Sequence, residues 1–224
     1  MMYKHIIKRL FDIVLSGMAI IVLAIPMLVV AIIIKIDSPG PALFKQTRIG
    51  IHKTHFTILK FRSMPTQVPK DLPTHQFNAA SMLSKWQVFI RKTSIDELPQ
   101  IFNIFIGQMS IIGPRPALWN QDDLIAERDK YGANDIKPGL TGWAQVNGRD
   151  ELEIAEKAKL DGEYTQHVTF KMDWTCFWMT VGNVLKHRGV IEGGTGVMAK
   201  QFGKRELETQ GIQTNDSNQS EAIR

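Results

Sequence analysis

Cysteine is almost absent: the 224 residues hold one, Cys176. A single thiol excludes an internal disulfide and a cysteine-only zinc site. It sits in the apolar run Trp174-Thr175-Cys176-Phe177-Trp178 and reads as a small buried hydrophobe. So little cysteine fits a reducing cytoplasm. Metal-ligand spacing is lacking too. The six histidines (His5, His52, His55, His75, His167 and His187) form no HExxH pattern and read as surface residues. No block of lysine and arginine and no nucleic-acid motif accompanies the net charge of +5. The basic balance therefore points to anionic lipid or an anionic substrate, with no nucleic acid among the partners. No repeat and no Gly/Ser linker divides the soluble part. The length suits one domain with its own core plus a membrane element.

What is abundant is apolar sequence near the N-terminus. From Ile13 to Ile34 there is no charged side chain. That meets the roughly 20 residues needed to cross a bilayer. The run is too long for a signal-peptide core, and no small-residue cleavage site follows it. Pro26 sits inside it, removes one N–H and crowds the carbonyl of Val22, so a kink is expected. Both flanks are basic: Lys4, Lys8 and Arg9 before, Lys35, Lys45, Arg48 and Lys53 after. Positive charge prefers the cytoplasmic side. Charge on both flanks suits a helix that enters and leaves by one face, and the residues alone leave spanning and re-entrant forms open. Asp12, one turn beyond Lys8 and Arg9, is expected to pair with them at the interface.

Beyond the anchor, Phe44 to Arg48 and Phe56 to Arg62 read as short strands joined by a turn at Gly50. Pro65 to Pro73 reads as a loop. Asn78 to Ile90 reads as an amphipathic helix with Met82, Trp86, Phe89 and Ile90 on one face. Further helices are expected over Leu98 to Phe105, Trp119 to Tyr131, Leu152 to His167 and Met172 to His187. Ile136 to Arg149 is a glycine-rich loop, for which a structural turn is the simplest reading. After about Gly203 the chain is polar and reads as a disordered tail. The amphipathic helices suit either a bilayer surface or the core, and for most of them the core is the better reading.

The chemistry concentrates in Ser94-Ile95-Asp96-Glu97-Leu98-Pro99-Gln100 and in Gly113-Pro114-Arg115-Pro116. Ser94-x-x-Glu97 matches a capping box, but Pro99 would then fall five residues in, where its N–H is needed. A helix starting at Leu98 or Pro99 fits better and puts Asp96 and Glu97 at its N-terminal mouth. Neighbouring acids can split their pKa values, leaving one charged and one able to handle a proton. Phosphoryl transfer depends on charge neutralisation, and Lys60, Arg62, Arg91 and Arg115 are the candidate phosphate ligands. Pro114 and Pro116 stiffen the backbone around Arg115. Magnesium bridging a carboxylate and a diphosphate is the expected metal, with Asp96 and Glu97 as its protein ligands.

These segments together resemble the bacterial sugar transferase family, the small monotopic phosphoglycosyl transferases. The matching stretches are Lys8-Arg9-Leu10-Phe11-Asp12, Lys60-Phe61-Arg62-Ser63-Met64 and Ser94 to Gln100. Met109-Ser110-Ile111-Ile112-Gly113-Pro114-Arg115-Pro116, Lys137-Pro138-Gly139-Leu140-Thr141-Gly142 and Gln145-Val146-Asn147-Gly148-Arg149 follow, with Asp161 and Asp173 near the end. The likeness covers roughly Tyr3 to Gly189.

The resemblance implies transfer of a sugar-1-phosphate from a UDP-sugar to undecaprenyl phosphate, with release of UMP. It implies that Asp96 attacks the sugar-bound phosphate and forms a covalent phosphosugar intermediate. Glu97 then completes the dyad, Lys60, Arg91 and Arg115 hold phosphates, and Arg149 contacts the nucleotide. Asp161 and Asp173 carry over as further substrate-side positions. The implied fold is α+β and mostly helical. It has a re-entrant membrane helix kinked at Pro26 (residues 1–36), a small cytosolic catalytic domain with interfacial helices and a β-hairpin (37–200), and a tail (201–224). The family anchor breaks at a Ser-Pro pair; here Ile25 precedes Pro26, which removes a polar aid to the kink. The chain looks like the minimal catalytic unit, placed on the cytoplasmic face of the bacterial inner membrane with membrane lipid as a partner. An oligomer is compatible with the sequence but not read from it. A membrane-tethered scaffold for anionic lipid, or a hydrolase of UDP-sugars or lipid diphosphates, are the rival readings. The scaffold leaves the paired acids beside a constrained arginine without a purpose.

Overall fold

A single helix, α1, carries the whole apolar N-terminal run. It spans Lys8–Asp37 and follows a wide turn over Tyr3–Ile7. At 1.5 Å per residue its 30 residues reach about 45 Å. The computed structural model describes residues 2–65, 83–148 and 152–185. Pro26 lies inside α1 without dividing it into two elements. Asp12, Ser16, Met27 and Ile34 are buried, and Ala19, Ile20, Leu23, Val30 and Ala31 pack beside them. Those positions recur every three or four residues, so one stripe of α1 faces protein along its length. Leu10, Val14, Ile21, Val22, Ile25, Leu28, Ile32 and Ile36 are exposed on the rest of it.

The end of α1 is set by chemistry from elsewhere in the chain. Ser38 is extended, and its N–H reaches Ile34 O at 3.2 Å. The buried Arg62 guanidinium donates to the carbonyls of Pro39 (2.6 Å), Ser38 (2.6 Å) and Ile34 (3.2 Å). A cation on the orphaned carbonyls of a helix C-terminus satisfies both their hydrogen bonds and the helix dipole.

Two strands follow, β1 (Leu43–Ile49) and β2 (His55–Phe61), paired antiparallel from Leu43 opposite Phe61 to Ile49 opposite His55. The turn was expected at Gly50. Gly50 opens it, with its N–H on Thr54 O, and the reversal runs on through His52 and Lys53, both at positive φ (52° and 58°). The side chain of the buried Asn103 takes the place of a third strand against β2. It accepts from Leu59 N at 3.0 Å and donates to Thr57 O at 2.8 Å.

Helix α2 spans Lys85–Lys92 and starts at a capping box, Ser84 with Gln87. Residues 78–82 of the helix expected there lie outside the described residues, as do residues 66–73 of the expected loop and the tail. Helix α3 spans Gln100–Phe105, just after Pro99. A short strand β3 (Ser110–Ile112) then pairs in parallel with β4 (Gly139–Thr141). The remaining helices are α4 (Asp122–Asp129), α5 (Trp143–Val146), α6 (Ile154–Gln166) and α7 (Phe170–Leu185). The fold is mostly helical, as expected, with one small antiparallel hairpin.

The core is a chain of small clusters. Met27 and Ile34 of α1 join Phe61, Ile90 and Ile101. Phe56, Ile58, Ile104 and Met109 form the next, and Ile112, Ile136, Tyr164 and Cys176 another. Cys176 is fully buried, in line with its sequence reading. The outer face of α7 is different. Phe170, Trp174, Phe177 and Trp178 are exposed and contact one another ring to ring, and Phe170 also meets Tyr3 and Phe11 at the root of α1. Together with α1, they present a broad apolar surface of the kind that meets a membrane.

Candidate active site

Four separate segments deliver the site. Ser94 takes a left-handed conformation (φ 56°) and reverses the chain after α2. One turn of 3₁₀ helix, Ile95–Glu97, then presents the two acids just ahead of Pro99 and α3. Ser94 makes no side-chain cap, so the acids are not part of a capping box. Lys60 arrives from the end of β2, Arg91 from the end of α2, and Arg115 from beyond β3.

The backbone that carries Arg115 is held from two sides. Gly113 N donates to Thr141 O and Gly139 N to Pro114 O, each at 2.8 Å. A Cβ on Gly113 would sit 2.6 Å from Lys137 O and 2.9 Å from Gly139 N, so only glycine allows this approach. The segment expected as a glycine-rich loop instead holds β4 and α5, and β4 braces the backbone next to Arg115. On the other side Arg48 donates to Pro116 O at 3.1 Å, and Ile49 N to Ala117 O at 3.0 Å.

The two acids sit in unequal surroundings. Glu97 Oε1 accepts from Lys60 Nζ at 2.8 Å and from Arg115 at 2.7 Å. The pair of cations and the carboxylate are mostly shielded from solvent. Among the described residues Asp96 receives only the Ser63 hydroxyl, at 3.4 Å. Burial pushes the Asp96 carboxyl up from 3.8 to about 6; Lys60 pulls it down, Glu97 pushes it up, and Arg91 and Arg115 pull it down. The Lys60 ammonium is in turn lowered by burial, against the attraction of Glu97. Near neutral pH Asp96 is thus ionised, weakly hydrogen-bonded and surrounded by three cations. That suits a carboxylate that must approach a phosphate.

Sequence-predicted residues divide accordingly. Asp96, Glu97, Lys60, Arg91 and Arg115 come together. Arg62 does not join them: both its terminal nitrogens are spent on the end of α1. Asp161 is buried between α6 and α4 and receives Arg128 at 2.6 and 2.9 Å. Asp173 accepts from Tyr3 (2.7 Å), Lys8 (2.7 Å) and Tyr164 (2.6 Å), tying the root of α1 to α6 and α7. Both aspartates hold helices together instead of facing substrate, and their spacing in the sequence gives no hint of these partners. Arg149 lies outside the described residues. Asp12 was expected to pair with Lys8 and Arg9. It instead accepts from Ser110 Oγ (3.0 Å) and Ile111 N (2.9 Å), while Arg9 caps the carbonyls of Ile104 and Phe105. Ser63 is the residue the sequence reading passed over; only its place in Lys60-Phe61-Arg62-Ser63-Met64 signalled it.

Among the described residues no three acidic, histidine or cysteine side chains cluster as a preformed metal cage. The neighbouring carboxylates of Asp96 and Glu97 still suit magnesium, which takes one or two carboxylates and draws its other ligands from diphosphate and water.

A membrane-anchored protein with an acidic dyad ringed by cations belongs among enzymes that handle phosphate esters at a lipid surface. The family is more specific. The sequence matches the bacterial sugar transferase family over residues 3–187, and the chain belongs to it. It is 35% identical over 197 residues to the uncharacterized sugar transferase EpsL of Bacillus subtilis, covering 88% of this chain and 96% of that one. It is 34% identical over 191 residues to the UDP-glucose:undecaprenyl-phosphate glucose-1-phosphate transferase of Escherichia coli (80% of this chain, 40% of the relative). The galactosyl transferase CpsE of Streptococcus agalactiae is 34% identical over 212 residues (87% and 44%). The chain thus spans nearly all of the Bacillus relative and less than half of the other two.

Proposed function

We propose that this protein transfers a sugar-1-phosphate from a UDP-sugar to undecaprenyl phosphate at a bacterial membrane. The observation that carries the reading is the split environment of the dyad, in which Lys60 and Arg115 occupy Glu97 and leave Asp96 free to attack. The names of the relatives support the donor and acceptor classes.

In the first step an Asp96 oxygen attacks the phosphorus that bears the sugar. The bond to the bridging oxygen breaks, and UMP leaves with that oxygen and its electron pair. Asp96 then carries the phosphosugar as an acyl phosphate. In the second step a phosphate oxygen of undecaprenyl phosphate attacks the same phosphorus. The Asp96–phosphorus bond breaks, giving the lipid diphosphate sugar and a free carboxylate. Arg91, Arg115 and Lys60 neutralise the charge on the phosphate oxygens through both steps. Glu97 keeps Lys60 and Arg115 aimed at that charge. Magnesium, when bound at the dyad, neutralises the diphosphate.

The way α1 is held supports a membrane placement. Its first turn is fastened by Arg9 to α3 and by Asp12 to β3. Its last turn is fastened by Arg62 to the end of β2. Attachment of both ends to one domain supports a re-entrant anchor, with the catalytic domain on the cytoplasmic face.

The test is UMP release in detergent with magnesium and undecaprenyl phosphate, using a panel that includes UDP-glucose and UDP-galactose. We expect release with one sugar that needs the lipid phosphate and disappears in Asp96→Asn. Release that persists in Asp96→Asn overturns the covalent route. Release without the lipid favours the hydrolase, and none with any sugar favours the scaffold.

A further inference from the structure

Arg9 and Lys137 converge beyond the C-terminal end of α3, at the opposite end of that helix from the dyad. The six residues of α3 alone separate the two places by about 9 Å. The gap between the cations is kept open by Gly107, whose φ is +92°. A Cβ there would lie 3.1 Å from the Arg9 guanidinium and 3.6 Å from Lys137 Nζ. Arg9 spends its two terminal nitrogens on the carbonyls of Ile104 and Phe105, which holds it in place. Lys137 makes no hydrogen bond or ion pair to any described residue. Burial and Arg9 both lower its ammonium pKa, and Asp12 acts weakly the other way. The Asp12 carboxylate is itself engaged by Ser110 and Ile111. A held guanidinium beside an ammonium that has no partner among the described residues calls for an anion.

The surroundings say which anion. Leu10 and Ile106, the chain neighbours of Arg9 and Gly107, are exposed, as is Phe105, whose carbonyl Arg9 holds and whose ring lies 3.4 Å from the Cβ position of Gly17 in α1. An anion recognised here has to sit where apolar surface meets a cationic rim. That is the level of a phospholipid headgroup. We propose that Arg9, Lys137 and the turn at Gly107 form a binding site for the phosphate of an anionic membrane phospholipid, distinct from the acceptor site at the dyad. The inference depends on the membrane placement of α1 and not on the transfer chemistry. One bound lipid there would fix the depth of α3, and so the height of the dyad above the membrane.

The test uses the full chain purified in detergent. Short-chain phosphatidylglycerol, short-chain phosphatidylcholine and undecaprenyl phosphate are titrated separately, and bound lipid is followed by native mass spectrometry. Lys137→Gln should weaken phosphatidylglycerol by about tenfold, the size expected for one charge-assisted contact. Phosphatidylcholine should be unaffected, and Lys137→Arg should bind as the natural protein does. Asp96→Asn should also keep phosphatidylglycerol binding, so a failure of the transferase reading leaves this result standing. Equal phosphatidylglycerol affinity in Lys137→Gln and the natural protein overturns the site. Equal weakening toward both phospholipids overturns it too, since phosphatidylcholine carries the same phosphodiester and the site would then show no preference for an anionic lipid. A loss confined to undecaprenyl phosphate reassigns the cations to the acceptor and overturns the phospholipid assignment.

Discussion

At the scale of single residues, the dyad shows how two adjacent acids acquire different tasks. Glu97 faces Lys60 and Arg115, and Asp96 faces mainly desolvation. A carboxyl raised from 3.8 to about 6 binds a proton more readily folded than unfolded. Between those two values the native state holds more protons, so stability falls as pH rises through the window. Above about pH 6 the cost is fully present. Asp96→Asn should therefore unfold at a higher temperature than the natural protein at pH 7 to 8. The gain is about 2–4 °C for each kcal/mol recovered. Near pH 4 the difference should shrink, and a thermal melt at both pH values measures it. Activity runs the opposite way under the proposed mechanism, in which the ionised Asp96 attacks. UMP release per enzyme should fall as pH drops through about 6. Lys60 is the largest opposing influence on Asp96, so Lys60→Gln should move that acidic limb upward. A limb that stays in place would separate it from Asp96.

At the scale of elements, glycine marks the two kinds of position that matter here. Gly113 lies where backbone meets backbone, and an added methyl would fall 2.6 Å from Lys137 O. Gly113→Ala should lose about 1–3 kcal/mol, the usual result of overpacking. It should also lower UMP release, because Arg115 follows two residues later. Gly182, inside α7, has nothing within 4 Å of its missing Cβ. Gly182→Ala should gain about 0.5–1 kcal/mol through helix propensity. Urea unfolding of the two variants against the natural protein checks both signs. The same contrast explains what the sequence could and could not disclose. The anchor, the hairpin strands and α3 were legible because each is specified locally, by an apolar run, by alternation or by Pro99. Adjacent Asp96 and Glu97 were legible for the same reason. The side-chain partners of Arg62, Asp161 and Asp12 were not, because each lies at least 23 positions away along the chain, and of those of Asp173 only Tyr164, nine positions back, is near. A buried ion has to be paired, but nothing in its own neighbourhood names the partner. Gly50 disclosed the hairpin turn but not its backbone: His52 and Lys53 adopt the positive φ, and Gly50 itself does not.

At the scale of the whole molecule, one apolar surface governs how the protein sits. The outer stripe of α1, the aromatic face of α7 and the end of α3 are exposed together. The inner stripe of α1 packs on the catalytic domain from Asp12 to Ile34. A helix that crossed the bilayer would carry one end away from that domain. It would strip Arg9 from α3 and Asp12 from β3, or else Arg62 from Ser38. Hydrogen bonds to charged groups of that kind contribute about 1.5–3 kcal/mol each. Retaining both sets fits the re-entrant placement proposed for α1. Lys4 and Lys45 flank α1 and are exposed. The one natural thiol, Cys176, is fully buried. Lys4→Cys and Lys45→Cys in separate proteins can thus be probed with a membrane-impermeant maleimide on sealed cells and on inverted vesicles. Both sites should label in inverted vesicles, and neither in sealed cells. Labelling of Lys4→Cys in sealed cells, with Lys45→Cys protected, would establish a spanning helix. It would also show that the contacts holding the first turn of α1 give way when the protein enters the membrane.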